Sequence, residues 1–166
     1  MRILGIDPGY GITGFGLIEA ERGQSRLLSC GAITTPAGMD FSARLEIIYE
    51  DMRRLLEQAK PDAVAIEELF FGQNVTTGIG VAQSRGVILL AIRQAGLEVT
   101  AYQPLQVKQA LVGYGNATKH QMQDMTKRLL HLSAMPKPDD AADAIAIALC
   151  HARSSTSLLA QAAQTR

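Results

Sequence analysis

Residues 139–150, DDAADAIAIALC, constrain this chain more than any other stretch. The segment has helical length, and from Ala141 to Cys150 its one polar residue is Asp143. A helix apolar on nearly every face belongs in a protein interior, so other layers must cover it. A lone carboxylate in such a helix costs several kcal/mol, roughly, unless it is paired or bound to a metal. Asp140 stands three residues earlier, which puts both acids on one face about one turn apart. Asp139 or Asp140, just after Pro138, also suits an N-cap, and acids in a first turn favour the helix dipole. Capping accounts for one of them and leaves Asp143 unexplained.

The covering layers are legible upstream. Residues 2–7 form a buried-strand run, 12–19 a second strand after a glycine turn, and 26–34 a third, which makes a meander. Residues 39–58 have helical spacing, with Phe41, Leu45, Ile48, Met52, Leu55 and Leu56 in one stripe. AVAIEE (63–68) is a short apolar run ending in acids, as suits a central parallel strand covered on both faces. The spacing then predicts a loop over 72–80, a helix over 81–95, a strand over 97–102, and helices over 104–113, 119–132 and 139–154. The expected fold is α/β: a mixed five-stranded sheet, meander plus parallel strands, flanked by helices. One domain over 1–153 is expected, with a C-terminal tail over 154–166 that frays.

Two further sets of acids stand at strand ends. Asp7 closes the first strand, at the carboxyl edge where open α/β sheets place ligands. Glycines at 5, 9, 11, 14 and 16 surround it. A phosphate cradle, a metal-bearing turn and a plain Asp-Pro-Gly hairpin all suit that run. Of Glu67 and Glu68, one must point into the site and the other away, because side chains alternate along a strand. Glu67 continues the apolar run and is the preferred residue, with Glu68 as the fallback. Should these acids converge with Asp140 and Asp143, four carboxylates would repel one another unless cations neutralised them. Oxygen donors without His or Cys select Mg²⁺, or Mn²⁺ as a substitute. Two such ions suit phosphodiester displacement.

Charge is balanced overall, 16 Lys and Arg against 16 Asp and Glu, so nothing global announces a nucleic-acid binder. Its distribution is uneven. Residues 104–137 carry five Lys or Arg and one acid, Asp124. A solvated helical face and a contact surface for nucleic-acid backbone both fit. Cys30 and Cys150 have no partner motif and read as free, buried residues. No stretch is long enough to span a bilayer and the chain starts in a strand-like run, so the expectation is a cytoplasmic protein without a membrane partner.

Taken in order, GIDPG, AIEE, QVKQALVG and DDAADAIAIALCHA resemble the RuvC family of Holliday-junction resolvases, within the ribonuclease H-like superfamily. The resemblance covers about residues 2–152. It implies that Asp7, Glu67, Asp140 and Asp143 are the catalytic metal ligands, with Mg²⁺ as cofactor. It also implies a homodimeric endodeoxyribonuclease that resolves four-way DNA junctions by paired symmetric nicks in recombination and repair. RuvA and RuvB, the branch-migration proteins, are the partners it implies. Lys108, Lys119 and Phe70 fall on positions where that family meets DNA. Phe71 reads as core or dimer packing, and His151, two turns beyond Asp143, as structural rather than as a base. The glycines around Asp7 are then expected to tighten the hairpin and keep the acid open to DNA. An actin-like ATPase also pairs Asp-x-Gly with a hairpin, but that fold needs two such domains and a second phosphate loop.

Overall fold

The apolar runs at 2–7 and 63–67 are buried on both faces of the sheet, which builds a three-layer molecule. In a computed structural model, residues 1–69 and 75–164 are described, with 75–76 and 156–164 described through the backbone alone. The strands are β1 (Arg2–Asp7), β2 (Ile12–Glu21), β3 (Gln24–Thr34), β4 (Ala63–Glu67) and β5 (Val99–Tyr102). Their order across the sheet is β3-β2-β1-β4-β5. The meander β1–β2–β3 is antiparallel, whereas β1, β4 and β5 run parallel. The two strands that end in acids are therefore parallel neighbours at the centre, as the sequence predicts.

Helices α1 (Phe41–Ala59) and α2 (Val75–Gln94) cover one face of the sheet. Their side chains join Leu4, Ile6, Leu17, Val64 and Ile66 in one core. Helices α3 (Pro104–Val112), α4 (Lys119–Leu129) and α5 (Asp139–Gln164) cover the other. There Ile145, Ala148 and Leu149 of α5 pack on Ile3, Ile18 and Ala65. The buried apolar helix of the sequence is thus α5, lying across β1 and β2. Asp40 caps α1, its carboxylate accepting from the Ser42 and Ala43 backbone N–H groups. Gln103 and Thr118 open α3 and α4 through capping boxes.

Close approach of α5 explains three glycines. A methyl group on Gly5 would lie 2.0 Å from the Ala144 carbonyl oxygen and 2.7 Å from the Ala148 nitrogen. One on Gly14 would lie 2.0 Å from the Asp140 carbonyl oxygen, and one on Gly16 would meet the Ile145 backbone at 2.9 Å. Gly5 and Gly16 are paired in register, and Gly14 is paired with Asp7. These residues form a bare track on which the α5 backbone rests. To the expected turn role of the glycines these three add helix packing.

Three expectations are corrected. The loop expected over 72–80 is helix from Val75 onward, and Gly78 and Gly80 lie inside it. Gly80 is there because a Cβ would come within 2.9 Å of the Tyr10 ring, so packing overrides helix propensity. Helix α4 ends at Leu129 rather than 132, with His131 turning the chain at a positive φ of 53°. Helix α5 continues to Gln164, past residue 154 where the tail was expected to begin. No helix among the described residues is long and apolar enough to cross a membrane, and both cysteines are free, Cys150 buried as expected but Cys30 only partly so.

Candidate active site

Parity along the strands decides which acids meet. In β1, Leu4 and Ile6 face α1 and α2, whereas Ile3 and Gly5 face α5. Asp7 continues the odd set and so rises on the α5 side. In β4, Val64 and Ile66 face α1 and α2, and Ala65 faces α5. Glu67 shares the side of Ala65, and Glu68 takes the opposite one and is exposed. Glu67 is thus selected by alternation rather than by its place next to the apolar run. The start of α5 lies over Gly14, the register partner of Asp7, which brings Asp140 to the same edge. Asp143 follows one turn later.

The four carboxylates affect one another. Burial is the largest influence on Asp7, and Glu67, Asp143 and Asp140 add to it, raising its pKa from 3.8 to about 8. Burial raises Glu67 too, with help from Asp143. Asp143 is raised by burial, Asp140 and Asp139, against the lowering influence of Lys119. Asp143 is nevertheless not entombed. Its side chain is 48% exposed, because the helix is buried along its length but opens at the site. The sequence-based expectation of a fully buried charge is corrected accordingly.

Lys119 Nζ lies 3.0 Å from Asp139 and 3.7 Å from Asp143. Its hydrogen bond to Asp139, followed by attraction from Asp143, raises its pKa. Lys108 lines a small cleft together with Glu67, Met122 and Asp143. Both lysines therefore stand beside the acids instead of on a remote face. Phe70 and Phe71 lie outside the described residues.

A set of hard oxygen donors whose charged forms are disfavoured by burial and by one another fits Mg²⁺ or Mn²⁺. Among the described residues, no three acids or histidines already lie close enough together to hold an ion. The fit rests on the donor chemistry and on the charge that Asp7 carries only at high pH.

His151 is half-buried and bonded within the fold. Its Nδ1 and the Tyr102 hydroxyl are 2.9 Å apart, and burial lowers its pKa, so it is neutral at pH 7. His151→Gln should change cleavage by less than about tenfold, well short of the ~10²–10⁴ lost with a general base. The same change should cost about 1 kcal/mol of stability in a denaturation curve.

The profile of the family described as "Crossover junction endodeoxyribonuclease RuvC" matches residues 3–151. The chain belongs to the RuvC family. The RuvC of Chloroflexus aurantiacus is 53% identical over 158 residues, 95% of this chain and 96% of that protein. The RuvC of Brevibacillus brevis is 54% identical over 153 residues, 92% of each. The structure of Thermus thermophilus RuvC in complex with a Holliday junction substrate superimposes with a TM-score of 0.87 at 34% identity. It covers 95% of this chain and 96% of that one. Membership in the RuvC family sets aside the ATP-using alternative.

Sequence reasoning missed three polar residues at this edge of the RuvC fold. Asp139, read only as a cap, is the closer partner of Lys119. Arg85 of α2 donates from Nε to the Glu67 carbonyl oxygen at 3.1 Å. Arg44 of α1 reaches the loop after Asp7, donating to Thr35 Oγ1 at 2.8 Å. Lys119 already carried a signal, a basic residue following a capping threonine. The two arginines had none, since each partner lies across the fold.

Proposed function

We infer that this chain is a metal-dependent endodeoxyribonuclease that resolves four-way DNA junctions by paired symmetric nicks. One observation carries the chemistry. Asp7, Glu67, Asp140 and Asp143 come from three elements to the carboxyl edge, where burial first, and repulsion from the other three acids second, raise the Asp7 pKa to about 8. Such a set asks for divalent cations, and Asp7, Glu67, Asp140 and Asp143 would hold them. Bound Mg²⁺ would supply an activated water and stabilise the attacking and leaving oxygens of the phosphodiester. Asp7 and Glu67 are fixed by paired strands, and Asp140 and Asp143 by a helix seated on glycines, so all four are held in place before substrate arrives. Lys108 and Lys119 would draw the DNA backbone to the same edge.

A homodimer suits two symmetric nicks. Ile79 and Leu90 of α2 support it: they are 53% and 50% exposed, and their spacing puts them on one helix face. Phe70 would stack on a junction base, a contact worth ~1–3 kcal/mol. Residues 1–153 form the nuclease domain in this reading, and 154–166 a C-terminal tail whose backbone continues α5 to Gln164. RuvA and RuvB are its partners, and the cytoplasm its location.

The test compares a synthetic four-way junction, a linear duplex and an RNA–DNA hybrid, each with Mg²⁺ and with Mn²⁺. Junction cleavage at symmetric positions, with the other two substrates left nearly intact, is the expected result. Equal cutting of all three would overturn the reading.

A further inference from the structure

The acid edge has two flanks. Lys108 and Lys119 stand on the one formed by α3, α4 and α5. The opposite flank, where α1 begins, carries Arg44. Its Nε donates to Thr35 Oγ1 at 2.8 Å, and Thr35 Oγ1 donates in turn to the Tyr10 carbonyl oxygen. Its guanidinium carbon lies 4.9 Å from the centre of the Tyr10 ring. Tyr10 is three residues past Asp7, and its ring is packed edge-on against Phe41 and closely against Gly80. The Thr35 backbone N–H donates to the Gly11 carbonyl at 3.0 Å, which ties the end of β3 to the same loop. The guanidinium is therefore held by β3, by the β1–β2 loop and by its own helix.

This ordered cation lacks a counter-charge. Among the described residues Arg22, Arg26, Arg53, Arg54 and Arg128 each pair with a carboxylate, whereas Arg44, like Arg2, Arg85, Arg93 and Arg153, pairs with none; of these, Arg44 is the one held over the loop that follows Asp7. Segments 70–74 and 156–166 contain no Asp or Glu in their sequence. This half-buried guanidinium is fixed through Nε and one ring face, Nη2 lies beside Gly11, and its two terminal nitrogens form a planar fork. That fork matches two oxygens of a phosphate, the geometry that distinguishes Arg from Lys.

We propose that Arg44 is a phosphate-binding residue, contacting the DNA sugar–phosphate backbone on the flank of the acid edge opposite Lys108 and Lys119. The proposal rests on the nuclease reading, and it gives the substrate cationic contacts on both sides of the acids. A strand crossing the edge would be held at either side of the scissile phosphate, which limits its sliding past Asp7.

The test uses the full chain, Ca²⁺ to support binding, and synthetic junctions with single methylphosphonates placed along each strand. Arg44→Gln should weaken junction binding about tenfold and make the slope of log K against log salt shallower by ~0.9. Arg44→Lys should keep the slope while losing part of the affinity. In the wild type one methylphosphonate position should reproduce the Arg44→Gln loss, and in Arg44→Gln that position should cost nothing further. An unchanged slope, or equal sensitivity of wild type and Arg44→Gln at every position, would assign Arg44 to holding the Tyr10 loop and overturn the proposal. The scan on wild type alone requires a sensitive phosphate even where Arg44→Gln folds poorly, and finding none also overturns it. Loss of junction preference in the wild type would instead count against the nuclease reading, while the slope on linear duplex still decides the role of Arg44.

Discussion

Asp7→Asn should abolish cleavage, by about a thousandfold or more, because several kcal/mol of transition-state stabilisation depend on the metal site. Junction binding should persist, since the phosphate contacts lie on other residues. The same substitution should stabilise the metal-free protein at high pH. Unfolded, Asp7 releases its proton near 3.8, and folded it keeps it to about 8. Between those values the folded chain holds more protons than the unfolded one, so its stability falls as pH rises from about 4 to 8. Raised Glu67 and Asp143 act with the same sign. Asparagine at position 7 removes the largest part of that slope. In chelator at pH 8, Asp7→Asn should melt several degrees above the wild type, given a gain on the order of 2 kcal/mol. At pH 4 the two should nearly coincide. Melting curves across this range in chelator, beside junction cleavage in Mg²⁺, read both effects. Parallel slopes for the two proteins would mean that Asp7 ionises freely.

Gly5→Ala should be the most damaging conservative change in the core. The added methyl would meet main-chain atoms of α5, the Ala144 carbonyl oxygen at 2.0 Å and the Ala148 nitrogen at 2.7 Å. No side chain can rotate away to make room. Helix α5 must back off the sheet, loosening Ala144, Ile145 and Ala148, which are all fully buried. Overpacking typically costs ~1–3 kcal/mol, and a backbone obstacle belongs at or above the upper end. Gly14→Ala tests the other end of the track. Its methyl would displace Asp140, so cleavage should fall at least about tenfold even where the protein still folds, the order expected when a catalytic group is misplaced by an ångström. Urea denaturation and Mg²⁺-dependent cleavage of both variants check these outcomes. Wild-type stability for Gly5→Ala would show that α5 rests less closely on β1.

The strands were legible in the sequence because short apolar runs closed by acids admit few other readings. Asp7, Glu67, Asp140 and Asp143 stand out because polar residues in otherwise apolar elements need a reason. What stayed hidden depends on contacts across the fold. Gly80 reads as a helix breaker until Tyr10 lies against it, so the start of α2 was taken for loop. Gly5, Gly14 and Gly16 read as a turn feature until α5 covers them. The pairing of Lys119 with Asp139, and the reach of Arg44 and Arg85 over the sheet edge, join residues far apart in the chain. No periodicity encodes such pairs. Asp143 shows the limit of hydropathy: its neighbours are buried, yet it opens to solvent because it sits one turn from the helix start.

The two-residue alternation of β1 and β4 gives the site something like a reading frame. Odd positions in both strands deliver their side chains to the α5 side, so Asp7 and Glu67 share it and Glu68 does not. Inserting or deleting one residue within β4 ahead of Glu67 would hand its place to a neighbour of opposite parity while leaving composition almost untouched. Substitutions along these strands can change size and still keep the acids together. A shift of one cannot. What the two strands must preserve through sequence change is therefore a count, modulo two, from the core to the acid edge.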